Sequence, residues 1–154
     1  HGDLHTGSVM VTPTETCILD PEFGMYGPIS YDIGTFMANI ILSYVGGNTT
    51  KDDSFKIITD LMSRFESIIS SVDSDDKPSQ VRVLLPEIIS ESFGFAGVEM
   101  IRRIIGIAHV SDLQDLSQEQ KTIGEKRGLK IGKRMILRWK TLQITDLNDV
   151  LCVE

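Results

Sequence analysis

A mainly helical lobe carrying one small β-hairpin is the fold this sequence predicts, and three observations predict it. Beyond residue 30, apolar residues recur at spacings of three and four, the period of helices with one buried face. Ahead of them, two short apolar runs flank a turn-rich linker, the pattern of a hairpin. The 154 residues contain no internal repeat and no low-complexity segment, and that length suits one domain with a buried core.

The hairpin comes first: Val9-Met10-Val11 and Cys17-Ile18-Leu19 are separated by TPTET, with Pro13 in the turn. After DPEFGMYGP, the positions Ile33, Phe36, Met37, Ile40, Ile41 and Tyr44 mark a first helix that Gly46-Gly47 should end. Phe55, Ile58, Leu61, Met62, Phe65, Ile68, Ile69 and Val72 mark a second, more cleanly amphipathic one, and SVDSDDKPSQ reads as a polar loop. Pro86 suits the first turn of a third helix, where a missing N–H costs little. That segment, PEIISESFGFAGVEMIRRIIGIAHV, is expected to bend or break near Gly94 and Gly97. SQEQ at 117–120 has the form of a capping box, with a helix behind it to about Trp139, and Thr145 is placed to cap a short last helix. Gly124, Gly128 and Gly132 cost helix propensity and suit close helix packing better than ligand binding.

Composition narrows the function. Fifteen basic against 22 acidic residues give −7, which speaks against general nucleic-acid or anionic-membrane binding. The charge is uneven: residues 121–154 hold 8 basic and 4 acidic residues, leaving 7 and 18 for residues 1–120. A solvated basic face on the C-terminal helix explains this more simply than an anion patch. Cys17 and Cys152 stand far apart in no metal-ligand spacing, which fits a reducing compartment. The longest apolar run, FMANIILSYV, is too short to span a bilayer, and residues 1–20 lack the apolar core of a signal peptide. The expected location is the cytoplasm.

The opening HGDLHTGSVMVTPTETCILDPEF concentrates the usable chemistry. Phosphoryl transfer needs a carboxylate beside the attacking hydroxyl and oxygen ligands that hold Mg²⁺ across the phosphates. Asp3 can supply the first. Asp20 and Glu22, at i and i+2, would point to one face if their segment is extended, with Pro21 stiffening the spacer, and could then share a metal or flank a metal–phosphate pair. Singly, these residues are ordinary turn formers; ordered as loop, hairpin and carboxylate pair, they are far more specific. A competing reading takes His1, Asp3 and His5 as the metal comb of a binuclear metallophosphoesterase. Such enzymes need further ligands downstream, where the only later histidine is His109, in an apolar run that favours a packing role.

HGDLHTGSVMV, ILDPEF and YGPISYDIG together resemble the catalytic half of kinases with the aminoglycoside-phosphotransferase-like (choline-kinase-like) fold, and within that family the branch acting on methylthioribose. The later block SFGFAGVEMIRRIIGIAHVSDL, with its paired arginine, is similar to the late C-lobe segment of the same branch. The resemblance implies the C-lobe of a protein-kinase-like fold, using ATP and Mg²⁺ to phosphorylate a small sugar. It implies Asp3 as catalytic base at the sugar hydroxyl, and Asp20, Pro21 and Glu22 at the metal and nucleotide phosphates. Ser8 falls where related kinases carry a metal-binding Asn, and its hydroxyl is a poorer ligand. Asp32 is implied as a brace of the catalytic loop through backbone N–H groups, with a plain helix N-cap as the alternative; His1 is a second brace. Arg102 and Arg103 are implied at substrate or at the transferring phosphate. They are the only basic residues between Arg82 and Lys121, lie in an apolar helix, and so need a partner. The bland alternative pairs one with Glu99 and sends the other to solvent.

The chain offers no GxGxxG and no strand-borne lysine of the kind a kinase N-lobe supplies. Residues 1–154 are therefore expected to be a C-terminal catalytic lobe with the N-lobe absent. Residues 1–23 would form its catalytic loop, hairpin and Asp-Pro-Glu, and residues 31–154 its helical subdomain with the twin arginine. The missing N-lobe is the expected partner, and apolar surface left uncovered where it packs opens the way to a homodimer. Alternatives are another small-molecule kinase of the same fold, which for a cationic substrate would want acidic groups in place of the arginines, and a non-catalytic kinase-like binding module.

Overall fold

The computed structural model describes residues 1–72 and 80–153. A 3₁₀ turn (Thr6–Ser8) leads into an antiparallel hairpin, β1 (Val9–Val11) and β2 (Thr16–Ile18). Six helices follow among the described residues: α1 (Ile29–Val45), α2 (Lys51–Val72), α3 (Gln80–Ile105), α4 (Ser111–Gln114), α5 (Gln118–Arg138) and α6 (Leu147–Leu151), the last entered through a 3₁₀ turn at Ile144–Asp146. The mainly helical class with one hairpin is thus as expected.

In the hairpin, Val9 pairs with Ile18, Met10 with Cys17 and Val11 with Thr16. Its second strand starts one residue earlier than Cys17. The tip is closed by Thr12, whose N–H bonds the Glu15 carbonyl at 2.8 Å and whose Oγ1 accepts the Glu15 N–H at 2.9 Å. The ribbon is exposed on Met10, Val11 and Ile18.

The core is built on α1, where Met37, Ala38, Ile41 and Leu42 are fully buried. The helix ends as its glycines predict: the Gly46 N–H bonds the Leu42 carbonyl, and Gly47 turns the chain at φ +85°. Helix α3 lies between α1 and α5 and adds Phe93, Ala96 and Met100 to the core; Ile131 and Met135 of α5 and Leu147, Val150 and Leu151 of α6 complete it. Burying each large side chain of this set stabilises the fold by about 1.5–3 kcal/mol.

Helix α3 departs from expectation at both ends of its proline-to-glycine stretch. It starts at Gln80, so Pro86 sits inside it and not in its first turn. It also runs unbroken past Gly94 and Gly97, because those glycines serve contact and not bending. A Cβ on Gly97 would stand 2.6 Å from the Gly132 carbonyl oxygen, and one on Gly132 would stand 3.0 Å from that of Gly97, so α3 and α5 touch backbone to backbone. Gly124 and Gly128 extend the same close packing toward Val45 and Ile104.

Ser117 caps α5, accepting the Gln120 N–H at 3.4 Å and donating to Gln120 Oε1 at 3.0 Å. Thr145 caps nothing; it lies within the 3₁₀ turn, whose start is held by Gln143 and Asp146. Helix α4 has no counterpart in the sequence reading, and most of the polar loop expected at 71–80 lies outside the described residues. No described helix is long and apolar enough to cross a membrane.

Candidate active site

Residues 1–8 form a loop held from three sides. Asp32, in the first turn of α1, accepts the main-chain nitrogen of His1 on Oδ2 at 2.7 Å and the Gly2 N–H on Oδ1 at 2.9 Å. It is therefore a brace of the loop, and Pro28 occupies the N-cap position. The His1 ring accepts the Asp3 N–H on Nδ1 at 3.3 Å and meets the Leu19 carbonyl through Nε2 at 2.7 Å, so it pins the loop to the end of the ribbon. Ser8 is buried, with its hydroxyl donating to the Asp3 carbonyl at 3.3 Å and its own carbonyl accepting the Leu19 N–H at 2.8 Å. Gly2 takes φ +86°, and any Cβ there would strike the Phe23 carbonyl, so the backbone after Glu22 passes directly over the residue before Asp3.

The other wall comes from α3. Glu99 is buried and receives three hydrogen bonds: Arg102 Nε to Oε2 at 2.6 Å, Arg102 Nη2 to Oε1 at 2.7 Å, and Arg103 Nε to Oε1 at 2.7 Å. Burial pushes the Glu99 carboxyl up, but the hydrogen bonds and charges of both arginines outweigh it and leave it below the usual carboxylate range. The same bond to Glu99, partly offset by burial, holds the Arg102 guanidinium above its ordinary value. Arg103 then reaches on to Asp3, Nη2 to Oδ1 at 3.2 Å. The two arginines thus divide: the Arg102 side chain is 47% exposed, that of Arg103 only 12%. Both pair with Glu99, where the sequence suggested one at most.

Asp20 and Glu22 are exposed, and the extended segment expected to align them is absent: strand β2 stops at Ile18, Asp20 adopts φ +65°, and the Gly24 N–H turns back to the Pro21 carbonyl at 3.1 Å. A non-glycine residue in the left-handed region is strained, and such strain collects at functional positions. Among the described residues, no three histidine, cysteine or carboxylate side chains stand close enough to cage a metal, so the comb of His1, Asp3 and His5 does not form. Asp20 and Glu22 each offer exposed carboxylate oxygens, the donor type Mg²⁺ takes from one or two carboxylates together with substrate phosphates. The Ser8 hydroxyl is turned into the loop.

Beside Asp3 lies a cleft of about 260 Å³ lined by His5, Asn39, Arg103, His109 and Asp112, among others. His109 is not a packing residue. It is exposed in the segment after α3, with its Nδ1 3.2 Å from the Arg103 carbonyl oxygen. Glu99 and His109 are the residues whose importance the sequence understates. For Glu99 a signal exists: it stands three before Arg102 and four before Arg103, the two spacings that meet on a helix face. For His109 the signal is Gly106, which follows Ile105 directly and ends the helix before His109, its N–H bonding the Arg102 carbonyl at 2.9 Å.

Residues 1–47 match the phosphotransferase enzyme family. Over its whole length, the chain is 37% identical to the methylthioribose kinase of Geobacillus thermodenitrificans, covering 41% of that protein. It is 35% identical to the methylthioribose kinase of Geobacillus kaustophilus, over 95% of the chain and 39% of that protein. It is 39% identical to that of Bacillus cereus strain B4264, over 88% of the chain and 37% of that protein. The chain therefore spans about two fifths of the length of these curated relatives.

Proposed function

Because the chain is related along its whole length to the methylthioribose kinases, we propose that it is the catalytic lobe of an ATP- and Mg²⁺-dependent kinase. Its acceptor is the anomeric hydroxyl of 5-methylthioribose, its product the 1-phosphate, and its setting methionine salvage. The observation that carries this reading is the stitching of two loops. His1, Ser8 and Gly2 tie the segment bearing Asp3 to residues 19–23, which bear Asp20 and Glu22.

In this reading Asp3 is the base. Arg103 holds Oδ1, which leaves Oδ2 to orient the sugar hydroxyl and take its proton. Glu99 fixes Arg103 for that task. Asp20 and Glu22 face the nucleotide phosphates, with Pro21 shaping the turn between them; Mg²⁺ held there supplies neutralising charge for the phosphate oxygens. Arg102, half exposed, is left free on its outer side to meet the sugar or the phosphate in transfer. The remainder of the nucleotide is gripped by an N-lobe outside this chain.

The test joins this chain to the amino-terminal portion of the Geobacillus thermodenitrificans relative and measures ATP-dependent phosphorylation of methylthioribose. The joined protein should turn over; its Asp3→Asn variant should lose about 10²–10⁴-fold in kcat while still binding the sugar. The 154-residue chain alone should show little or no transfer, and turnover by it equal to that of the joined protein would overturn the two-lobe account.

A second reading, another small-molecule kinase of the same fold, draws on one observation. Glu99 and Asp3 neutralise the twin arginine, and Asp112 adds a carboxylate to the cleft, so these arginines do not by themselves repel a cationic acceptor. Faster transfer to an amino alcohol or aminoglycoside than to methylthioribose would select it.

A further inference from the structure

The seat of the acceptor hydroxyl can be narrowed, granted the reading of the lobe as a sugar kinase. His5 Nδ1 accepts the Gly7 N–H at 3.0 Å. An amide nitrogen can only donate, so Nδ1 carries the lone pair and the ring hydrogen is on Nε2. Glycine at position 7 makes this fit possible, since a Cβ there would stand 2.9 Å from His5 Cε1 and 3.0 Å from Nδ1. So held, Nε2 faces Asp3 Oδ2 at 3.9 Å. That is too long for a direct hydrogen bond, while Asp3 Oδ1 is already engaged by Arg103.

A donor and an acceptor 3.9 Å apart can be bridged by a single oxygen about 2.8 Å from each. A hydroxyl is the group that accepts and donates at once. His5 and Arg103 also line the cleft of about 260 Å³, which gives the rest of a small polyol somewhere to lie.

We propose that His5 contacts the substrate: its Nε2–H donates to the acceptor hydroxyl oxygen while that hydroxyl donates to Asp3 Oδ2. During transfer the oxygen forms its bond to the γ-phosphorus of the nucleoside triphosphate, its proton passes to Asp3 Oδ2, and the bond from that phosphorus to the departing nucleoside diphosphate breaks. His5 keeps its proton and fixes which lone pair attacks.

Calorimetric titration of the chain with 5-methylthioribose and with its 1-deoxy analogue, repeated on His5→Asn, tests this. Asparagine keeps an oxygen able to accept the Gly7 N–H and places nothing where Nε2 stood, so the loop is retained and the contact is lost. The unsubstituted chain should bind the sugar about tenfold more tightly than the analogue, the size of one or two hydrogen bonds. His5→Asn should erase most of that preference and leave affinity for the analogue unchanged. A preference that survives in His5→Asn, or equal weakening of both ligands, would overturn the contact while the kinase reading stands. Equal affinity of the unsubstituted chain for both ligands would do the same. Binding of neither ligand would overturn the contact, and turnover of the joined protein then decides the kinase reading separately.

Discussion

Glu99 is the residue on which the paired arginines hang, and its removal should show in stability. Glu99→Gln leaves two guanidinium groups without their carboxylate, one of them nearly buried. The expected cost is about 2 kcal/mol in urea denaturation, below that of a fully buried pair because Arg102 is half exposed. The sign with pH follows from the direction of the shift. The folded carboxyl lies below its ordinary value, so the stabilisation is complete above the ordinary carboxylate pKa of about 4.3 and is lost as pH falls through the folded value. The urea midpoint of the chain should therefore drop in acid below about pH 4, and Glu99→Gln should drop less over that range. Gly2→Ala is the complementary case: φ +86° and the Phe23 carbonyl overhead both oppose a methyl group, so a loss of more than about 1 kcal/mol is expected in a thermal melt. At this scale the braces Asp32 and His1 were legible only through the family resemblance, since Asp32 stands thirty residues from Gly2, and Ser8, weighed there as a metal ligand, holds the loop as well. The shared face expected of Asp20 and Glu22 lacks its basis, since a left-handed aspartate before proline defeats the alternation assumed for an extended segment.

Helices declared themselves by apolar period, and their ends by glycine or by Ser117, so most elements were legible before any contact was known. The errors cluster on residues that have two uses. Pro86 reads as a helix opener, yet the helix begins six residues earlier and carries it on an exposed face. Since Pro86 gives the ladder no N–H, Pro86→Ala should raise the melting temperature, with a gain of about 1–3 kcal/mol. Gly94 and Gly97 read as bends, yet they are where α3 meets α5. Gly97→Val must push the Gly132 carbonyl aside; overpacking there should cost about 1–3 kcal/mol and lower the urea midpoint. Only a partner helix distinguishes a packing glycine from a hinge, and the partner is thirty-five residues away in sequence.

For the molecule as a whole, the hairpin and the segment after it expose five large apolar side chains, Met10, Val11, Ile18, Phe23 and Met25. Apolar surface of this kind invites a partner. Sedimentation should find the chain self-associating, Met10→Lys with Val11→Glu should return it to monomer, and joining the N-lobe should have the same effect without substitution. The stitched loops carry a further consequence for motion. Gly2, Asp3 and Leu19 lie near the surface, yet their N–H groups are bonded to Asp32, His1 and Ser8, and so to the start of the central helix. Amide protons at these three positions should exchange with deuterated solvent together and at a common slow rate. The Thr14 proton at the ribbon tip, bonded only to the Thr12 hydroxyl, should be gone long before them.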